Sequence, residues 1–500
     1  MRKSTRKHSI RNPPASGRPP TKRLTIRDVQ ATTDELIRFH RLFHAVFKRR
    51  EQREWSALYL CGQLSNLESK TIEPMVAAFR GADPNAMRAL QQFISQETWP
   101  AEKLILRLQQ LVAEWLGDPA GVVIVDGSGF PKQGQSSVGV ARQYCGAVGK
   151  VANSQEGVFL VYASPHGYAF LDERLYVHAT WFGDDACERR RQCKIPETLR
   201  FQTEPNLALE MLQGLITRDV LPFRWVAADA HFGEIPAFLD DVAALGKWYF
   251  IEVPCDTRGW LDTPRIELPG PGVLGRPRTQ PRVSRNAPRP RELRELAAQL
   301  PKSAWTRHRI KEGSKGPLVA DFAFLRATTV RAGLPGPRVW VIFRRSCGKE
   351  PELKFYLSNA PTTCPRTEFI RVSGLRWPIE TALEEGKGQV GMDHYETRSW
   401  VSWHHHMAHT FMAHLFLVRL CLVFKKKSCL DDRASTSVDR TRFGRRARRK
   451  TGHSVHHRLS PTAKLRRLLL TSPTPTRAKS LIFTWAPTVT KVSESYEVSE

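Results

Sequence analysis

Three acids and two cations carry the chemistry suggested by this sequence: Asp126, Asp229 and Glu380, with Arg376 and Lys387. Asp126 ends the β-branched run in GVVIVDGSGF. Asp229 ends RWVAADAHFG ahead of Gly233, and Glu380 lies in RWPIETALEEGK, which runs from Arg376 to Lys387. Carboxylates suit Mg2+, a hard cation that takes oxygen ligands and keeps several waters. Two such ions bridged by a shared carboxylate can activate an attacking oxygen and stabilise the leaving one during phosphodiester cleavage. Taken singly, each acid reads as a surface cap. As a set at the ends of core elements in a very basic chain, they read as a nuclease-like site.

The last block predicts its own helix. Pro378 suits a first helical turn, where its missing N–H would go unpaired anyway, so a helix starts near Trp377. Glu380 to Lys387 then spans two turns with Glu384 between them, and a carboxylate and an ammonium share one face. In isolation this is also the pattern of an exposed helix laced with ordinary charge pairs. Glu384 and Glu385 are close enough to replace Glu380 as ligand, and spacing alone does not choose among the three.

Other candidates carry less. His404, His405, His406 and His409 include an i, i+4 pair, but no H-E-x-x-H acid accompanies it, so structural or phosphate-facing histidines are the expectation. GSGFPKQG lacks the G-K-[ST] ending of a phosphate loop, which argues against a nucleoside triphosphatase. Trp181, Trp260, Trp305 and Trp403 could stack on an unpaired base, although tryptophans mostly serve cores.

The scaffold for these residues can be read along the chain. Residues 1–27 form a basic arm rich in Pro and Ser, expected to be disordered. Residues 28–118 have helical spacing and make a helical N-terminal domain carrying Arg49, Arg50 and Arg53, which could hold DNA or simply brace the strands beyond it. In 119–254, GVVIVDGSGF reads as a buried central strand, QYCGAVGKV and EGVFLVYASPHG as further strands of an antiparallel meander, and LYVHATWF as an edge. Helix EPNLALEMLQGLITR, the strand ending at Asp229, helix IPAFLDDVAALG and strand WYFIEVP come next. Residues 255–353 read as an insertion, partly β, with a Pro- and Gly-rich loop and the strands FAFLRATTV and RVWVIFRR. The core resumes over 354–424 with LKFYLSNA, the helix at Glu380 and a strongly apolar helical stretch that packs on the core. Residues 425–500 are a basic tail containing RRARRK, expected to be flexible.

Composition points to a polyanionic partner. A formal net charge of +28, with 77 Lys and Arg against 49 Asp and Glu, attracts phosphate backbones and displaces their counterions, which makes nucleic acid the first candidate. Five hundred residues, 41% of them hydrophobic, allow two or three structural units with real interiors. Nine cysteines without a C-x-x-C pair fit neither a zinc ribbon nor a disulfide framework, and a reducing compartment is expected. The N-terminus shows no apolar signal region and no uninterrupted apolar run reaches spanning length, so a soluble, cytoplasmic protein without a membrane partner is expected.

Taken together, VVIVDGSGFPKQGQSSVGVARQYCGAVGKVANSQEGVFLVYAS, WVAADAHFG and RWPIETALEEGKGQVGMDHYETRSW resemble the three catalytic blocks of DDE transposases of bacterial insertion sequences, in particular insertion-sequence family 701. The resemblance covers roughly residues 34–420. It implies an α/β fold: an RNase H-like mixed-sheet core, interrupted by a mainly β insertion and preceded by the helical N-terminal domain. It implies that Asp126, Asp229 and Glu380 hold two Mg2+ ions, with Mn2+ able to substitute, and that Arg376 and Lys387 bind DNA phosphates. The substrates implied are double-stranded DNA, both terminal inverted repeats and target, cut and joined by a homodimer. The signature Y-x2-R-x3-E-x6-K falls on Ser373, Arg376, Glu380 and Lys387, so Ser373 stands where a tyrosine is usual. DGSGF replaces a DETGF-like block, and Ala230 follows Asp229 where an ADE-like block is frequent. These departures leave a second expectation, a catalytically inactive or repurposed transposase that binds DNA without cutting it.

Overall fold

The computed structural model describes residues 26–96, 98–269, 279–311, 317–348 and 350–435. Most of the basic arm, the centre of the Pro- and Gly-rich loop, and the tail from 436 with its RRARRK run lie outside the described residues.

Five helices come first: α1 (Ile26–Arg41), α2 (Arg50–Gln63), α3 (Ile72–Arg80), α4 (Pro84–Ser95) and α5 (Ala101–Leu116). Asp83 caps α4 by accepting from the Asn85 N–H, with Pro84 in the first turn, the arrangement that satisfies a helix's free N-terminal donors. Four strands come after them: β1 (Val122–Pro131), β2 (Ala141–Cys145), β3 (Lys150–Ser164) and β4 (Gly167–Tyr176). Next are α6 (Cys187–Gln192), α7 (Glu204–Arg218), β5 (Trp225–Ala228), the single turn α8 (Ala230–Gly233), α9 (Pro236–Ala244) and β6 (Trp248–Val253).

The segment after β6 is richer in strand than its sequence suggested. It holds the short strands β7 (Arg258–Trp260), β8 (Ile266–Glu267), β9 (Arg282–Val283) and β10 (Arg291–Glu292), then α10 (Leu293–Ala298). The longer strands β11 (Thr306–Lys311), β12 (Leu318–Arg331), β13 (Leu334–Ser346) and β14 (Leu353–Ser358) complete it. Helices α11 (Arg366–Leu375), α12 (Pro378–Val390) and α13 (Trp400–Ser435) close the described chain.

Twelve strands form one mixed sheet in the order β10-β7-β12-β13-β14-β6-β5-β1-β3-β2, with β11 on β12 and β4 on β3. β1 is an interior strand, between β5 and β3, and Val122 to Val125 are buried, which is why this run is continuously β-branched rather than alternating. β1 is antiparallel to β3 and parallel to β5, and β5 is parallel to β6. The inserted strands are not a separate body, because β14 pairs with β13 on one side and β6 on the other.

Three local features differ from the sequence expectation. QYCGAVGKV is a hairpin, β2 turning into β3, not one strand. The strand preceding LYVHATWF starts earlier, at Gly167, and the chain past Tyr176 enters a 3-10 turn instead of an edge strand. Finally, α13 runs to Ser435, past the expected start of the tail at 425.

The five N-terminal helices share a single hydrophobic cluster with the sheet and α13. Phe39 meets Phe416 at 5.2 Å between centroids, and Phe170 stacks on Phe411 at 4.5 Å. The α13 histidines are the polar part of this joint. His405 lies between the Ile94 and Trp99 carbonyls, 2.9 Å from each, its neutral ring donating to one of them; His406 bonds the Tyr59 hydroxyl at 2.7 Å, and His409 bonds Ser56 Oγ at 3.1 Å. Trp400–Val423 is, by length and composition, apolar enough to cross a membrane, and 83% of that window is buried inside the protein, the core packing that its apolar sequence suggested. Its hydrophobicity is explained by this packing.

Candidate active site

Register brings the first two acids together. Val125 of β1 pairs with Ala228 of β5 in parallel, so the next residues stand side by side: Asp229 just past the end of β5, and Asp126 within β1, which runs on to Pro131 against β3 and so does not end at this acid as the sequence suggested. Ala228 also pairs with Ile251 of β6, which puts Glu252 in the same row. Adjacent strands lie ~4.8 Å apart, and the space outside the carboxyl ends of parallel strands is where open α/β sheets gather ligands. Asp229 caps α8, its Oδ1 accepting from the Phe232 N–H at 3.4 Å. That turn sits hard against β6: a Cβ on Gly233 would run into the Glu252 carbonyl oxygen.

Glu380 reaches this row through Arg376. The Arg376 guanidinium stands 3.1 Å from Glu252 Oε2 and 3.6 Å from Glu380 Oε1, with only 12% of its side chain exposed. Glu252 Oε1 receives the Lys354 ammonium at 3.2 Å, while its Oε2 is buried without a hydrogen bond of good geometry. Glu380 occupies the first turn of α12, as Pro378 predicted.

The electrostatics arise from this crowding. Burial, then the Asp229 charge, push the Asp126 carboxyl up to about 7; Glu380 adds to the rise, while Arg376 and the Gly127 N–H oppose it. Asp229 is also raised, chiefly by burial and in part by Glu252, against the Phe232 N–H, His231 and Arg376. Carboxylates held together away from water disfavour full ionisation unless a cation joins them.

The remaining candidates fall elsewhere. Lys387 is not at the acid row: its ammonium donates to the Gly129 carbonyl at 2.9 Å and lies 4.9 Å from the Phe130 ring centroid. Glu384 is exposed. Glu385 is buried and engaged, accepting from the Tyr168 hydroxyl at 2.8 Å and pairing with His414 at 2.9 Å. Ser373 is buried on α11 and donates to the Ile370 carbonyl at 2.7 Å. Trp181, Trp260 and Trp403 are core residues, and Trp305 lies 4.3 Å from the Arg345 guanidinium.

Sequence reasoning missed Glu252. Its signal was available, since an acid inside the apolar strand WYFIEV has to be paired or functional. It also missed His231, two residues past Asp229, whose Nε2 stands 3.2 Å from Glu204 Oε2 at the start of α7.

The donor chemistry fits a hard divalent cation, because the row offers several carboxylate oxygens and burial, then the Asp229 charge, raise Asp126 in the absence of a neutralising ion. Among the described residues no three acidic, histidine or cysteine side chains already stand as a closed ligand set. The cation held between Glu252 and Glu380 here is the Arg376 guanidinium.

Known proteins share parts of this chain. The family described as DDE superfamily endonuclease matches residues 42–317. A probable transposase for insertion sequence element IS701 from Microchaete diplosiphon is 29% identical over 179 residues, 35% of this chain. The match spans only 41% of that relative. The NurA nuclease from Sulfolobus solfataricus aligns at 11% identity over 67% of this chain and 92% of its own, with a TM-score of 0.25, too low to support any argument about fold.

Proposed function

Because this chain belongs to the DDE superfamily of endonucleases, we propose that it is an insertion-sequence transposase that cuts the terminal inverted repeats of its element and joins them to target DNA. The observation that carries this reading is the row of Asp126 and Asp229, side by side on parallel neighbours, with Glu380 tied to it through Arg376. Residues 119–254 and 354–424 then make up an RNase H-like core, and 255–353 its insertion. The order β4-β3-β1-β5-β6, antiparallel on one side of β1 and parallel on the other, supports that division.

Asp126, Asp229 and Glu380 are, on this proposal, the ligands of two Mg2+ ions. When bound, the metal supplies Lewis-acid activation of the attacking oxygen and charge neutralisation at the leaving one. The protein does the rest. Asp126 and Asp229 would offer the metal their carboxylate oxygens side by side on β1 and β5, Asp126 in its ionised form. Arg376, braced by Glu252, faces the negative charge that develops on the phosphate. Water attacks first, and a 3′ hydroxyl later, in line with the bond that breaks. Holding two DNA ends at once calls for a homodimer.

The test is a nicking assay with Mg2+ on duplex DNA carrying the inverted repeats that flank the coding region. Wild type nicks at the repeat ends and Asp126→Asn does not. Binding without nicking by wild type would instead mark a repurposed, non-cutting protein.

A further inference from the structure

The inserted strands bring cations to the acid row that the catalytic blocks do not contain. Arg344 of β13 pairs with Lys354 of β14 on one side and with Phe322 of β12 on the other. Lys311 ends β11 opposite Leu318, four residues from Phe322 and therefore on the same face of β12. That face is shared by Tyr356, the partner of Glu252, so one surface runs from Glu252 to Lys311.

Contacts from α11 and α12 fix Lys311 at the mouth of the site. β11 touches the end of α11 so closely that a Cβ on Gly374 would lie 2.8 Å from Ile310 Cγ2. The Lys311 ammonium stands 5.8 Å from the ring centroid of Trp377, which is 51% exposed and precedes Pro378. Arg344 contacts the Tyr356 hydroxyl.

Neither Lys311 nor Arg344 has a carboxylate within ion-pair distance among the described residues, although both are partly buried. Burial, then the neighbouring Arg344 charge, lower the Lys311 ammonium, and Glu380 alone acts the other way. Two partly desolvated like charges held near each other cost free energy unless an anion joins them. Lys387, the lysine that the sequence offers for this task, is occupied by the Gly129 carbonyl.

We infer that Lys311 and Arg344 form a phosphate-binding subsite, supplied by the inserted strands, that holds a backbone phosphate of the DNA strand next to the one being cut. The inference rests on the DNA-cutting reading and adds to it a ligand class and two residues. It gives the insertion a role in the site beyond extending the sheet.

The test uses the full chain carrying Glu380→Gln, expected to hold DNA without cutting it, and a short linear duplex of arbitrary sequence as probe. Binding is measured across a salt series for this parent, for Lys311→Gln with Arg344→Gln added, and for Lys311→Arg added. Each lost phosphate contact removes about one unit from the slope of log affinity against log salt, with roughly fivefold weaker binding at moderate salt. The double Gln variant should show that loss and Lys311→Arg should keep the parent slope. In the cleaving background the double variant should raise KM for nicking more than it lowers kcat. An unchanged slope and affinity in a double variant that melts like its parent overturns the subsite while leaving the DNA-cutting reading intact. Failure of the parent itself to bind duplex overturns both.

Discussion

Asp126 and Asp229 each follow the same backbone pair of two parallel strands, Val125 with Ala228, so the closeness of their carboxylates is fixed by sheet register. Burial and the Asp229 charge together raise Asp126. Asp126→Asn should therefore do two opposite things: cut Mg2+-dependent nicking by roughly a thousandfold, ~4 kcal/mol of barrier, and stabilise the metal-free fold. The sign comes from linkage. Asp126 is raised from 3.8 to about 7, so its contribution to stability is full below pH 3.8 and is lost as pH rises to about 7. At pH 8 the metal-free Asn variant should be more stable by ~1–3 kcal/mol, measured by denaturant unfolding. An Asn variant no more stable than wild type would contradict the shared-charge picture.

Glu252 and Glu380 both reach the same nitrogen of Arg376, Nη2, with Glu252 the nearer. Replacing it by Gln keeps the shape but removes the charge that orients the guanidinium. Nicking should fall by ~10–100-fold, as when partners behind a metal site are lost, and the Asp229 carboxyl should titrate lower because Glu252 helps to raise it. A pH–rate profile that does not move would show that Arg376 is held by other means.

Gly233 tests the backbone beneath Asp229. A methyl group there meets the Glu252 carbonyl oxygen, which cannot move without shifting β6. Gly233→Ala should destabilise the fold by ~1–3 kcal/mol through overpacking and also lower nicking, since the turn that carries Asp229 must lift. Thermal melting and activity should fall together; wild-type behaviour in both would place the turn further from β6.

How much of this was legible in the sequence can be judged element by element. GVVIVDGSGF announced a buried central strand because a strand covered on both faces tolerates four consecutive β-branched residues. Pro378 announced the start of α12. What spacing could not supply was register: nothing in the sequence says that Asp126, Asp229 and Glu252 fall in one row across β1, β5 and β6. The β2–β3 hairpin was read as one strand because Gly146 and Gly149, its turn residues, sit inside an otherwise β-like run. Lys387 matched its motif position, yet its direction is set by the close approach of α12 to Gly129, a tertiary fact. The histidines of α13 were ambiguous for the same reason, since their partners lie more than 300 residues away on α2 and α4.

Those histidines, together with His40 of α1, which is within hydrogen-bond distance of the same Ser56 hydroxyl as His409, should make the fold acid-sensitive. Burial lowers His40, His406 and His409 from 6.5 to about 3 and His405 to about 4. Their neutral forms support the folded state above pH 6.5, and that support is lost as pH falls from 6.5 towards 3. With four such groups the slope reaches up to ~5 kcal/mol per pH unit. Unfolding followed by circular dichroism should show a steep loss of structure below about pH 5.5, shallower in His409→Gln. A flat profile to pH 4 would mean that the histidines take up protons without losing their partners.

Glu380 and Glu384 lie one turn apart on α12, but only Glu380 faces Arg376. The most direct measurement is Mg2+-dependent nicking of inverted-repeat DNA by Glu380→Gln beside Glu384→Gln, with DNA binding measured in parallel. Glu380→Gln is expected to bind DNA and not nick it, and Glu384→Gln to nick like wild type. Full nicking by Glu380→Gln, or its loss in Glu384→Gln alone, would contradict Glu380 as the third acid of the site.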